Sequence, residues 1–313
     1  MKMYAGIFRY VTLVLLMVGY SASSLAVSWE GIEGKDIVLF YPGQSAWEWV
    51  LVPSDHSGAK RMREGKSCRD CHEGEEKEIG SLIVSGEKLE PEPTKGKPGS
   101  IPLNVAMTRD ADTLYVKFEW TDPGVSSGAT GKFESRVTMM IGDEAIKESV
   151  LFGCWGTCHN DVKGMPDAGD LNMNKYLAAS RTKLGRTGGG ENYKSGDDLS
   201  ALMADGYYME YMQAKLNPGE PAVAADGYVL RDRHRNEPPL VQADATFEGG
   251  KWTVILSRKL DGGDGHKTLE PGIKYPVGFA IHDDYAEHRH HHVSLEYSFA
   301  IDDDVADFVA TSN

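Results

Sequence analysis

Two pairs of cysteines, each ending in a histidine, carry most of the chemistry this sequence can do. Cys68-Arg69-Asp70-Cys71-His72 has the spacing C-x-x-C-H. Each thiol can add across a vinyl group of a porphyrin, and the histidine after the second thiol can reach the iron. That is the attachment signature of c-type haem. A zinc site would ask for four protein ligands where only three stand. Cys154-Trp155-Gly156-Thr157-Cys158-His159 repeats the Cys-His ending with three residues between the thiols. The chain has 4 cysteines, so these two segments use all of them. Two disulfides would be the default in an exported chain, but the histidine endings predict two covalently attached c-type haems instead. His72 and His159 are the expected proximal ligands.

A six-coordinate electron-transfer haem needs a second axial ligand, usually His or Met. Of the 10 histidines, the C-terminal cluster His288, His290, His291 and His292 can be sorted by strand parity. Side chains alternate across a strand, so His291 shares a face with Val293, Leu295, Tyr297, Phe299 and Ile301. His288, His290 and His292 fall with the polar set. His291 is the expected distal ligand of the second haem, with His290 and His292 in reserve should the register slip. For the first haem, His56 lies shortly upstream of Cys68, in Ser54-Asp55-His56-Ser57-Gly58, where a loop can fold over the opposite haem face. An exposed loop histidine is the equal alternative there. His266 and His282 are also among the seven histidines able to serve as distal ligands, or could supply acid/base work in an enzyme, and His234 is a stray in a charged loop.

These groups are set in a chain of 313 residues with 41% hydrophobic and 26% charged residues, an ordinary globular composition. The formal charge of -14 argues against a nucleic-acid partner, because nothing would neutralise phosphates. Lys2 and Arg9, the apolar stretch Tyr10 to Tyr20 and the small residues Ser24-Leu25-Ala26 read as a signal peptide over 1–26, cleaved after Ala26. The apolar stretch is short for a transmembrane helix, so export to the periplasm is expected and an uncleaved anchor is the alternative. Without Lys2 and Arg9 the charge becomes -16.

The elements that must position the motifs divide into residues 27–97, an irregular segment carrying CRDCH, and residues 98–313. Leu114, Val116, Phe118 and Trp120 alternate with Tyr115, Lys117 and Glu119, a half-buried strand pattern. Further strands are expected at 136–141, 241–247, 251–256, 275–282 and 291–301. Short strands between Gly, Pro and Asp turns predict a mainly β fold, an antiparallel β-sandwich. A helical and loop insertion from Asn160 to Pro239 interrupts it, with helices expected around 171–184 and 198–216. The second is rich in methionine (Met203, Met209, Met212) and would wall a core or a haem pocket. Gly188-Gly189-Gly190 lacks the strand and helix context of a phosphate loop, and no Ser-His-Asp arrangement or H-E-x-x-H motif is readable.

The segments Asp112-Thr113-Leu114-Tyr115-Val116 through Trp120-Thr121-Asp122, Lys251-Trp252-Thr253-Val254, Ser257-Arg258-Lys259-Leu260 and His292-Val293-Ser294 resemble the ethylbenzene dehydrogenase gamma-subunit-like haem-binding domain, over roughly Pro98 to Asp304. The resemblance implies a β-sandwich, related to electron-transfer subunits beside DMSO reductase-type molybdenum enzymes. In non-covalent members a Met and a Lys ligate haem b. This sequence departs at both places, with the CWGTCH segment where the Met would fall and His291 where the Lys would. Asp55-His56-Ser57-Gly58-Ala59 through Cys68 to Glu76 is similar to the N-terminal extension of c-type members, which points to His56 again.

The function expected is that of a periplasmic dihaem cytochrome c passing electrons between a membrane quinol-oxidising cytochrome and a soluble or complexed redox enzyme, molybdenum enzymes included. It is read as an electron carrier, not an enzyme. The rival readings are a haem oxidoreductase with one open axial site, and a permanent haem subunit or sensor of a larger complex.

Overall fold

The computed structural model describes residues 27–91, 93–124, 131–161, 175–263, 265–286 and 288–312. Strand accounts for 35% and helix for 17% of the chain, so the class is mainly β as expected. The expected signal peptide and residues 171–174 of the expected helix around 171–184 lie outside the described residues; the rest of that helix does not form, because from 175 to 184 there is only a 3-10 turn at Ala178–Ser180.

In chain order the strands are β1 (Lys35–Phe40), β2 (Ser100–Arg109), β3 (Thr113–Thr121), β4 (Ser135–Ile141), β5 (Met209–Leu216), β6 (Val223–Val229), β7 (Arg233–Arg235), β8 (Gln242–Glu248), β9 (Lys251–Lys259), β10 (Lys274–His282), β11 (His292–Val293), β12 (Tyr297–Ile301) and β13 (Phe308–Ser312). The helices are α1 (Trp47–Val50), α2 (Ala59–Arg63), α3 (Arg69–His72), α4 (Glu76–Val84), α5 (Lys147–Phe152) and α6 (Gly196–Ala204).

Six strands close a ring in the order β1, β2, β13, β12, β10, β11. From it run two wings, β4-β5-β6-β7 beside β10 and β3-β9-β8 beside β2. The wings meet where β5 packs on β8 and β9. Between them lies the main core, in which Phe118, Trp120, Met139, Met212, Trp252, Val254, Phe279 and Phe299 pack together. The expected all-antiparallel pairing fails at β13, which runs parallel to both β12 and β2. Residues 27–97 do not stand apart from the sheet, because β1 fills the place between β2 and β11.

Two strand expectations change. The helix read over 198–216 stops at Ala204, and Met209–Leu216 is instead a strand between β4 and β6. Gly206, at φ +74, supplies the left-handed turn that ends the helix. The single strand read over 291–301 is interrupted between Val293 and Tyr297. Val293 and Leu295 therefore pack in a second cluster outside the main core, while Tyr297, Phe299 and Ile301 pack inside it.

Period-2 alternation gives the β10 wing two uses. Odd residues of β4 and β10 (Val137, Met139, Ile141; Val277, Phe279, Ile281) and even residues of β5 (Met212, Ala214, Leu216) enter the main core. Their neighbours Arg136, Thr138, Met140, Tyr211, Gln213, Lys215, Ala280 and His282 face outward and line a cavity.

Candidate haem sites

The first motif opens α3 with Cys68 as its N-cap, and the helix runs through His72. Cys68, Cys71 and His72 line one cavity of about 600 Å³ together with His56. Trp49 and Val50 of α1, Met62 of α2, Ile79 and Ile83 of α4, and Phe40, Trp155 and Leu295 supply its apolar walls. Size and lining suit a large planar apolar group. Burial pushes the Cys68 thiol well above its ordinary value, with the nearby Glu296 carboxylate adding to the effect. A thiol of that kind is an inert apolar group unless its sulfur is alkylated, as a thioether link would do.

The imidazoles of His56 and His72 stand with ring centroids 6.1 Å apart. Two imidazoles that share one metal ion through bonds of about 2.0 Å have centroids about 6 Å apart. Both rings are also fixed in the same tautomer. His56 Nδ1 donates to the Val50 carbonyl at 2.9 Å, and His72 Nδ1 to the Glu75 carboxylate at 2.8 Å. Each ring thus keeps Nε2 as its lone-pair atom, the arrangement that orients metal-ligating histidines. The pairing requires Gly58, where a Cβ would lie 2.8 Å from His56 Cε1. Donors, tautomers and spacing fit haem iron.

The second motif follows α5 as the 3-10 turn Gly153–Thr157, seated against β10. A Cβ on Gly278 would come within 2.4 Å of the Cys154 nitrogen, so the glycine is what lets the motif reach the sheet. Cys154 lines a cavity of about 300 Å³ on the outer face of the β10 wing, and His291 lines the same cavity. His291 Nδ1 donates to the His288 carbonyl at 2.9 Å, which again leaves Nε2 as the lone-pair atom. His282 stacks on His291 at 4.4 Å and shares that carbonyl. Burial holds both imidazoles well below their ordinary value, with each further disfavoured as a cation by neighbouring positive groups. Both are neutral, the form that binds metals.

The reserve histidines are otherwise engaged. His292 Nε2 donates to the Pro98 carbonyl at 2.8 Å, and its Nδ1 lies 3.2 Å from the Asp283 carboxylate. His290 meets Tyr41 Oη at 3.1 Å, and neither lines the cavity. His291 lines the cavity on the parity of Val293 and Leu295, which pack in the second cluster; the break after Val293 separates that side from the face of Tyr297 and Phe299.

Cys158 and His159 are buried but outside the lining of this cavity. His159 Nδ1 donates to Glu48 at 2.7 Å, Nε2 lies 3.2 Å from the Tyr176 carbonyl, and the ring stacks on Tyr176 at 3.7 Å. Glu48 is placed as the orienting carboxylate of a ligating histidine, but Nε2 faces the Tyr176 carbonyl, to which it can only donate. The structure brings Cys154 and His291 together, and leaves His159 covered by Tyr176. Glu48, Glu75 and Arg136, to which sequence reasoning assigned no role, also belong to these sites, and His282, one of the candidate histidines, stands beside His291. The acidic pair Glu75-Glu76 after the first motif was the one local signal for Glu75.

The four cysteines form no disulfide with one another, which leaves every sulfur available for attachment. No helix among the described residues is long and apolar enough to cross a membrane.

Comparison with known proteins agrees with this chemistry. The family profile Ethylbenzene dehydrogenase matches residues 235–294, from the end of β7 to just past β11. Cytochrome c-552 of Stutzerimonas stutzeri is 36% identical over 278 residues, which is 88% of this chain and 87% of that protein. Cytochrome c-551 of Rhodocyclus tenuis is 29% identical over 281 residues, 88% of this chain and 95% of that protein. The chain therefore belongs to the c-type cytochromes that carry an ethylbenzene dehydrogenase-type domain, electron-transfer proteins with covalently bound haem.

Proposed function

We propose that the protein is a periplasmic dihaem cytochrome c. It would take electrons from a membrane quinol-oxidising cytochrome and pass them to a soluble or complexed redox enzyme, a molybdenum enzyme being one such acceptor. Haem supplies one-electron redox chemistry; the chain supplies attachment, axial ligands and burial. Cys68 and Cys71 attach the first haem, with His72 and His56 as its axial pair. Cys154 and Cys158 attach the second, with His159 and His291.

The observation that carries the reading is the His56–His72 pair, 6.1 Å apart across a cavity that also holds both thiols. Two imidazoles on one iron leave no open position for a substrate, which favours a carrier over an enzyme. The sites are also neighbours in the chain: Cys154 lines the second cavity and Trp155 the first. For His159 to ligate, Tyr176 has to turn away from its Nε2. The net charge of -14 favours a partner with a basic face and an association rate that falls with salt.

The test is spectroscopic. Electron paramagnetic resonance of the oxidised protein is expected to give only low-spin bis-histidine signals, and the reduced native protein should not bind carbon monoxide. A stable high-spin haem that takes up carbon monoxide would favour an enzyme with an open axial site.

A further inference from the structure

The outer face of the β10 wing concentrates positive charge in a chain that is otherwise acidic. In strand register Arg136 of β4 stands directly opposite Lys215 of β5, and Arg233 and Arg235 follow on β7. All four border the cavity of Cys154 and His291, and no described carboxylate lines it. Lys215, Arg233 and Arg235 form no ion pair with a carboxylate among the described residues. Like charges directly opposite on neighbouring strands destabilise a sheet. Burial and the surrounding cations push the Lys215 ammonium down to about 8. Such a cluster needs an anion.

The cavity is graded along its length. At one end Gly278, paired with Met140, lies against Cys154: a Cβ there would come within 3.1 Å of the Cys154 Cβ. Arg136 sits four residues further along β4, about 13 Å away at the rise of a strand. Between the two ends Thr138, Val229 and Ala280 supply uncharged wall; Lys175, near Cys154 and His291, is the one cation of the lining felt at the thiol end, while Lys132 stands near Lys215. A porphyrin has a comparable span, with vinyl groups at one edge to meet Cys154 and two carboxylates at the other to meet the end where Arg136, Lys215, Arg233 and Arg235 are concentrated. Guanidinium groups bind carboxylates in bidentate fashion.

We propose that Arg136, Lys215, Arg233 and Arg235 form the site for the propionate carboxylates of the haem attached through Cys154, and so fix its orientation in the cavity. The proposal rests on the reading that a second haem is bound here. Two carboxylates against four cations leave the rim positive. Reduction adds one negative charge to a haem, so this rim favours the reduced form and holds that haem's potential up.

The experiment compares the intact holoprotein with Lys215→Met combined with Arg233→Gln, and with Lys215→Arg as the charge-retaining control. Haem content by pyridine haemochrome is measured first, then spectroelectrochemical potentials and the propionate bands in resonance Raman spectra. The expected result is two haems per chain, a lower potential and shifted propionate bands for one haem in the double variant, and native values in Lys215→Arg. Two haems with unmoved potentials and bands would overturn the propionate site alone; the rim would then serve an acidic docking partner. One haem per chain in the native protein would overturn the dihaem reading and this site with it.

Discussion

His56 and His72 face each other with ring centroids 6.1 Å apart, each donating its Nδ1 proton to a fixed acceptor, Val50 carbonyl in one case and Glu75 carboxylate in the other. Sixteen positions separate them in sequence, with α2 between them and His72 at the end of α3. The loop before α2 carries His56 over the cavity, and α3 carries His72 beneath it. A loop histidine in a chance position has no reason to match the tautomer of the motif histidine.

Replacing His56 tests that pairing. In His56→Ala the haem of the first motif should become high-spin and bind carbon monoxide, with the haem still attached. His56→Met should stay low-spin at a higher potential, as Met/His ligation does in cytochromes c. Absorption spectra with and without carbon monoxide read both. An unchanged low-spin spectrum in His56→Ala would remove His56 from the iron.

Trp155 stands in the wall of the first cavity while its neighbour Cys154 lines the second. Its indole donates to the Ser45 carbonyl at 3.1 Å and packs edge-on against Phe40 and Phe152. Trp155→Leu should slow electron exchange between the haems several-fold, and haem content should stay native. Flash reduction of the half-oxidised protein measures the rate.

The seating of the second motif depends on Gly278. A Cβ at that position would meet the Cys154 nitrogen at 2.4 Å, and backbone cannot move aside as a side-chain tip can. Gly278→Ala should cost about 1–3 kcal/mol by overpacking and lower covalent haem yield at Cys154 and Cys158 relative to Cys68 and Cys71. Thermal unfolding together with peptide mass analysis would show both effects.

A buried charge cluster away from the haem cavities sets a pH dependence. His266 donates to Asp226 at 2.6 Å and lies 3.7 Å from Glu210, which Arg258 also contacts. Burial works against the imidazolium, but Asp226 and Glu210 outweigh it and raise His266 to about 9. Between pH 6.5 and 9 the folded state therefore holds a proton that the unfolded chain has released, so stability is complete below 6.5 and falls as pH rises through 9. His266→Gln should be destabilised by about 3–5 kcal/mol near pH 6, because it leaves the buried Asp226 carboxylate without its cation and Glu210 with Arg258 alone. Its loss relative to the native protein should shrink towards pH 9.5. Melting curves across that range provide the check.

How much of this was legible in the sequence varies with the range of the interactions. The thiols, their histidines and the strands β3, β4, β8, β9 and β10 follow from local spacing and alternation. The strand over Met209–Leu216 did not, because its pattern is buried on both faces and carries no clean period; pairing with β4 and β6 decides it. The break after Val293 was also hidden, since it arises where Ser294 exchanges hydrogen bonds with Phe279 across the sheet. His291 was reached through a continuous strand that does not exist, yet the odd parity of Val293 and Leu295 is still the side that faces the second cluster. Glu48 lies 111 positions from His159, and no local pattern could have joined them.

The central claim is that both cysteine pairs carry haem. Intact-mass analysis of the mature holoprotein, followed by peptide mapping, tests it most directly. The account predicts a mass two haems above that of the polypeptide, with one on the peptide containing Cys68 and Cys71 and one on the peptide containing Cys154 and Cys158. A single added haem, with Cys154 and Cys158 recovered as free thiols or as a disulfide, would contradict it.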